Sequence, residues 1–386
     1  MASSSGLEVA DIVRRFGPAF RETYRGHLNR SQLRTLGAIE ACRTAALGGH
    51  VYECAHCGAR KIVYNSCRNR HCPKCQSLQT AQWLEQRCAE LLPVPYFHVV
   101  FTLPEELNPL ALSHPRLLYD LLFRCASETL LEIAADPKHL GARIGLLAIL
   151  HTWSQKLTLH PHLHCLVPAG GLSIDGDWWV RCRRRFFLPV QVLSKLYRGK
   201  FLAALQAAVQ KGDLPPTHLP ALDPLYRKPW MVYSKPPFGS PKQVLAYLAR
   251  YTHRVALANQ RLVKITDKEV TFTWKDYADA ETPRQMTLSG EEFLRRFLLH
   301  VLPDGFVRIR YFGLFANRHR EQKVALCRSL LPGPPPPKLE VESWQARFQR
   351  LTGIDPLLCR VCGQPTMRCI EPLAPIPLGG RAPPGP

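Results

Sequence analysis

Apolar residues recur at helical spacing near the start of the chain, at Val13, Phe16, Phe20 and Tyr24, and again at Leu33, Leu36 and Ile39. This predicts two helices, the first broken or kinked at Gly17-Pro18. A polar helix is expected from Ser77 to about Leu92, where Pro93 and Pro95 stop it. The period then changes. In Tyr96 to Leu103, Phe97, Val99, Phe101 and Leu103 share one face, and His98 and Thr102 point the other way, as in a strand. Residues 107 to 135 read as helical, and Ile144 to Val167 as one or two strands. Turn chemistry at Gly170-Gly171 and Asp175-Gly176-Asp177 precedes a strand at Trp178 to Arg181. Further on, the pattern predicts a helix over Leu188 to Val209 and a strand at Trp230 to Tyr233. A helix begins at Ser240-Pro241, with Ser as N-cap and Pro at the first helical position, and runs to about Asn259. Strands at Leu262 to Ile265 and Val270 to Trp274 and a helix at Glu291 to His300 complete the series. Leu331 to Pro337 reads as a stiff proline linker, and the last fifteen residues as disordered.

Composition narrows the class. With 46% apolar and 21% charged residues over 386 positions, wholesale disorder is excluded. No apolar run approaches the ~18 residues that span a bilayer. The N-terminus lacks a basic flank followed by an apolar stretch, so no signal peptide is expected, which points to the cytoplasm. The net charge of +21 predicts a polyanionic partner, nucleic acid before a membrane surface. The basic residues recur along the folded part, as in Arg181-Cys-Arg-Arg-Arg185 and Arg318-His-Arg320, which favours a built-in binding surface over a lipid tether.

The chain has fourteen cysteines. Cys54-Ala-His-Cys57 and Cys72-Pro-Lys-Cys75 are two CxxC knuckles fourteen residues apart. Their spacing is expected to complete one tetrahedral S4 site for structural Zn²⁺ from Cys54, Cys57, Cys72 and Cys75. Cys67 and His71 lie among them as alternative ligands. Arg68 and Arg70 beside the knuckles suggest that this module touches nucleic acid. Cys359-Arg-Val-Cys362 with Cys369 looks like half of a second metal site.

Leu159-His-Pro-His-Leu-His-Cys165 alternates as a strand, with His160, His162 and His164 on one face. Two histidines at i and i+2 reach a common metal, and a histidine-bound divalent ion with open positions suits phosphodiester chemistry. Tyr247-Leu-Ala-Arg-Tyr-Thr-His-Arg254 lies on the predicted helix from Ser240. Tyr247 and Tyr251 sit one turn apart, where an apolar stripe meets Arg250 and Arg254. Tyrosine hydroxyls are competent nucleophiles toward a phosphodiester, and the arginines could hold its non-bridging oxygens.

Taken together, these segments resemble the HUH-type, two-tyrosine transposases of rolling-circle insertion sequences, the insertion sequence 91 family. The likeness rests on Asn65 to Cys75, Phe97 to Pro104, His160 to Val167, Tyr247 to Arg254 and Phe306 to Gly313, and covers nearly the whole chain. The resemblance implies an α+β fold. It would be an HUH endonuclease-like antiparallel sheet flanked by helices, with an N-terminal helical zinc-binding module. The implied domains are a zinc-binding domain at 1–92 and a two-tyrosine catalytic domain at 93–330. Residues 331–386 would be a proline-rich linker, a small Cys knuckle and a disordered tail. It further implies His162 and His164 as ligands of a catalytic Mg²⁺ or Mn²⁺, with His160, His98 or Gln243 as a third. Tyr247 and Tyr251 would be the nucleophiles, and Arg250, Arg254, Arg68 and Arg70 would contact DNA. The partner would be single-stranded DNA at the element's ends, met at the bacterial nucleoid, with no membrane. The sequence sets no oligomeric state.

Two other readings start from the same residues. His160-Pro-His162-Leu-His164 also fits the histidine-triad pattern of nucleotide hydrolases, which leaves the tyrosine pair and the charge unexplained. A non-catalytic zinc protein that binds nucleic acid would need neither tyrosine.

Overall fold

The structure is a computed structural model that describes residues 6–183, 187–235, 243, 256–276, 279, 282–333, 335 and 342–376. In chain order its strands begin with β1 (Gly49–Cys54), β2 (Arg60–Tyr64), β3 (Tyr96–Thr102), β4 (Ala142–Arg143), β5 (Gly145–Trp153), β6 (Leu159–Pro168) and β7 (Gly170–Ser173). They continue with β8 (Trp179–Arg181), β9 (Val232–Lys235), β10 (Leu262–Ile265), β11 (Glu269–Asp276), β12 (Thr282–Ser289), β13 (Ile309–Gly313) and β14 (Met367–Leu373). The fold is α+β, and among the described residues every strand pairing is antiparallel.

The chain divides into two compact units, neither continuous in sequence. One comprises Met1–Trp83, His253–Val301 and Leu339–Pro386; the other comprises Leu84–Thr252 and Leu302–Lys338. The sequence suggested three consecutive blocks at 1–92, 93–330 and 331–386. The division differs because two later segments return to the N-terminal one.

In the first unit, a helix at Val9–Thr23 runs unbroken through Pro18. The expected break is absent because Pro18 is exposed, so water can satisfy the carbonyl it frees, while Val13, Gly17 and Phe20 keep the buried face in register. Arg30–Ala41 forms the second helix, opened by a reciprocal cap between Asn29 and Gln32. The sheet β10–β11–β12 leads into a helix at Gly290–Leu298, capped by Ser289 and missed only at its edges by the sequence pattern. That helix starts against the first one. A Cβ on Gly290 would lie 2.3 Å from the Phe16 ring, so only glycine fits there. Tyr24 donates to Glu291 Oε1 at 3.0 Å, and Gln32 Nε2 donates to the Leu298 carbonyl at 3.2 Å. A second sheet, β14–β1–β2, joins the N-terminal hairpin to the far end of the chain. Of the last fifteen residues, expected to be disordered, 372–376 are held in place, and 377–386 lie outside the described residues. Strand β14 reaches Leu373, and the Ile376 amide donates to the Ala45 carbonyl. Backbone pairing outweighs the local proline content.

The second unit is built on a five-stranded sheet in the order β13–β5–β6–β3–β9, with β6 in the middle. Val99 lies opposite Cys165, and Cys165 opposite Ala148. These residues share one face with Phe97, Phe101, Leu163, Val167, Leu146 and Leu150, all nearly fully buried. Helices Pro115–Ala135 and Val190–Gln210 cover that face, with the Phe101 and Tyr197 rings 5.0 Å apart. The helical stretch expected over 107–135 is split at His114, because Pro115 restarts the helix at its first position. Most of the helix expected from Ser240 to Asn259 lies outside the described residues; Gln243 is helical, and Ala256, with φ +56°, is not. Residues 259–261 form a 3₁₀ turn instead.

Candidate metal centres

The face of the five-stranded sheet opposite the helices carries the imidazoles. Antiparallel register puts directly opposed residues on the same face. Thr102 opposes His162, Val100 opposes His164, and His151 on β5 opposes His162. Ligand nitrogens of His151, His162 and His164 lie within 4.8 Å of one another. That is close enough for small side-chain rotations to bring three imidazoles onto one divalent ion.

Hydrogen bonds select the ring nitrogens available to an ion. His162 Nδ1 lies 2.6 Å from the His160 carbonyl, so it must carry the proton and leave Nε2 with its lone pair outward. His164 Nδ1 is 2.7 Å from His98 Nε2; with the proton on His164 Nδ1, its Nε2 keeps the lone pair that a metal needs. Burial pushes His98 down to about 4, with Lys235 adding to the effect. His164 is held well below the usual imidazole range, by burial first and then by His151, His162 and His98. His162 shifts the same way, again chiefly by burial. His162 and His164 are therefore neutral at physiological pH, the form that binds a metal.

His160, expected on the sequence as a ligand, is not in the converging group. It is exposed, at the end of β6 where the β5–β6 ladder slips between His151 and Trp153. It contributes its carbonyl to His162 instead. His151 takes the third place. It was overlooked because it closes an apolar run, Ile149-Leu-His151, and only the β5–β6 register brings it opposite His162. His98, weighed as a neighbour across the sheet, touches His164 rather than joining the three. Tyr247, Tyr251, Arg250 and Arg254 lie outside the described residues. Gln243 is described as helical and exposed.

The cysteines in the first unit group differently from the sequence expectation. Cys54 and Cys57 do not meet Cys72 and Cys75 in one site. Two separate four-thiol clusters form instead. The first joins Cys42, Cys67, Cys72 and Cys75. Sγ distances are 3.4 Å for Cys42–Cys75, 3.6 Å for Cys67–Cys75 and 3.7 Å for Cys42–Cys72. Four sulfurs at ~2.3 Å from a tetrahedral zinc stand about 3.8 Å apart, so the set fits Zn²⁺. Cys42 follows the helix Arg30–Ala41 directly, twelve residues before the first knuckle and without a CxxC partner of its own, which is why spacing did not reveal it. His71 is buried but faces Asn69 Oδ1 at 3.2 Å and Thr35 Oγ1 at 3.5 Å, beside the cluster rather than in it. Arg68, exposed and at φ +51°, and half-buried Arg70 lie on the loop between Cys67 and Cys72. The second cluster joins Cys54 and Cys57 to Cys359 and Cys362. Cys369, grouped with the last pair on sequence, sits exposed on β14, its Sγ 3.7 Å from His50 Nδ1.

Comparison with known proteins decides the family. Residues 12–103 match a transposase zinc-binding domain of insertion sequence 91 type, and residues 145–323 match a family described as "Putative transposase". The chain is 53% identical over 381 residues to "Putative transposase y4qJ" of Sinorhizobium fredii, covering 95% of this chain and 96% of that one. It is 31% identical over 357 residues to the "Transposase for insertion sequence element IS801" of Pseudomonas savastanoi pv. phaseolicola, covering 88% and 83%. The chain belongs to the insertion sequence 91 family of transposases. No solved structure matches it. The zinc-binding segment of the family holds Cys42, Cys67, Cys72 and Cys75 together with Cys54 and Cys57. The transposase segment holds the histidine cluster. Cys359 and Cys362 lie beyond both. Among the described residues, no helix is long and apolar enough to cross a membrane.

Proposed function

We propose that this transposase is an HUH-type enzyme that cuts and rejoins single-stranded DNA at the ends of its element through tyrosine–phosphate linkages. The observation that carries the proposal is the convergence of His151, His162 and His164 on the face of the central sheet opposite the helices Pro115–Ala135 and Val190–Gln210. Those three would hold Mg²⁺ or Mn²⁺, with His98 orienting His164. A bound ion there would polarise the scissile phosphate and offset its developing charge. Tyr247 and Tyr251 are the proposed nucleophiles. The hydroxyl oxygen of one attacks phosphorus and releases its proton to solvent. The bond from phosphorus to the 3′ oxygen breaks, that oxygen takes up a proton, and the 5′-phosphate stays on the tyrosine. The second tyrosine would allow a paired cleavage before the first end is released. Arg250 and Arg254, and Arg68 and Arg70 beside the thiol cluster, would contact the DNA backbone. Cys42, Cys67, Cys72 and Cys75 would hold a structural zinc.

The test is incubation of labelled single-stranded DNA carrying the element's end with the full chain and Mn²⁺, followed by a denaturing gel. The expected product is a covalent adduct that maps to Tyr247 or Tyr251 and disappears with chelator and in the double Tyr→Phe variant. An adduct that persists in the double variant would remove the tyrosines from the mechanism. Tight DNA binding without any adduct would leave a non-catalytic binding protein.

A further inference from the structure

We infer that the protein carries a second structural zinc, held by Cys54, Cys57, Cys359 and Cys362, that staples the C-terminal segment to the N-terminal hairpin. The two pairs lie about three hundred residues apart in sequence. In the fold, Cys54 Sγ is 3.6 Å from Cys362 Sγ, and Cys57 Sγ is 3.7 Å from Cys359 Sγ. These separations match a tetrahedral S4 zinc and are far from the ~2.05 Å of a disulfide.

The backbone gives independent support. The two pairs adopt the same turn. The Cys54 amide donates to the Ala59 carbonyl at 2.9 Å, and the Cys359 amide to the Gln364 carbonyl at 2.8 Å. The Gly58 amide donates to the Cys54 carbonyl and the Gly363 amide to the Cys359 carbonyl, both at 2.9 Å. Each turn ends on a glycine in the left-handed region, Gly58 at φ +72° and Gly363 at φ +73°. A repeated Cys-x-x-Cys-Gly turn that aims two sulfurs at one point is a metal knuckle, and two of them face each other here. Cys72-Pro-Lys-Cys75, followed by Gln76, lacks this glycine.

Packing points the same way. Around the second cluster the buried residues are Cys54, Cys359 and Met367, with Tyr52, Ala59 and Cys362 partly buried against them. Strand β2 has no buried position, and β14 only Met367. A three-stranded sheet with so small an apolar core gains little from burial, and a metal supplies the missing folding energy. The ladder ends at the site. Cys54 opposes Met367, the Ala55 amide donates to the Thr366 carbonyl at 3.1 Å, and the Thr366 hydroxyl lies 3.1 Å from Cys54 Sγ. The transposase zinc module is thus assembled from both ends of the chain.

The full-length reduced protein tests this by native mass spectrometry and by thiol alkylation, neither of which reads DNA cleavage. Two zinc ions per chain are expected, falling to one in the Cys359→Ser/Cys362→Ser variant. Cys362→His, which restores a fourth donor, should keep two even if the serine variant loses both by unfolding. In the native protein, Cys57 and Cys369 are both exposed. Cys57 should nevertheless resist N-ethylmaleimide until a chelator is added, while Cys369 reacts at once. One zinc in the wild type, two in the serine variant, one in Cys362→His, or equal alkylation of Cys57 and Cys369 would each overturn the inference.

Discussion

Among single residues, His98 shows how a side chain outside the proposed ligand set acts on it. It is nearly fully buried, and its Nε2 contacts His164 Nδ1. His98→Ala should weaken Mn²⁺ binding about 10–100-fold by letting the His164 ring turn, with the fold intact; titration calorimetry reads this directly. The same burial makes a pH prediction. Burial holds His98 down at about 4, against about 6.5 for an imidazole in the unfolded chain. As pH falls below 6.5 the unfolded chain takes up this proton first, so stability declines down to about 4 and is unaffected by this group below it. Urea midpoints at pH 7.5 and 5.0 should differ less in His98→Gln than in the wild type. Of the three converging histidines, His162 and His164 were legible in sequence because strand alternation sets their face. His151 was not, because its place depends on which strands pair and in what register.

Among elements, the edge strand β13 holds its position through one glycine. Gly313 has φ +62°, and a Cβ there would lie 2.0 Å from the Ile144 carbonyl oxygen. Gly313→Ala therefore combines an unfavourable backbone region with a clash against backbone that cannot move aside. It should cost at least about 2 kcal/mol, visible as a lowered urea midpoint. β13 pairs with β5, which carries His151, so the same variant should lower metal affinity even where the protein remains folded. Period and caps predicted most helices and the core strands, since both are local. Several elements escaped, among them the strands β1, β2 and β13, the short helix Leu222–Arg227, strand β12 and the helices Arg320–Ser329 and Trp344–Thr352, whose buried faces are narrow, and β14, which is mostly exposed. Little apolar periodicity marks such segments, and partners distant in sequence hold them in place.

For the whole molecule, a net charge of +21 and a DNA-processing family lead to one expectation. Binding of single-stranded DNA should fall steeply and linearly as log Kd against log salt. A flat line would mean that phosphate contacts contribute little. The compact units cut across the sequence, because segments 253–301 and 339–386 return to the N-terminal helices and hairpin.

The amino-acid sequence by itself determined the α+β class, the strand that presents His162 and His164, the presence of thiol metal sites, the basic character and the transposase family. The family follows from the resemblance of its motifs, and the rest from local periodicity, spacing or composition. Only the tertiary structure decided which cysteines share a metal, that His151 rather than His160 completes the imidazole cluster, and that the C-terminus belongs to the N-terminal module. Those are pairings between segments tens to hundreds of residues apart. Sheet register and chain return select them, and neither leaves a local pattern to read.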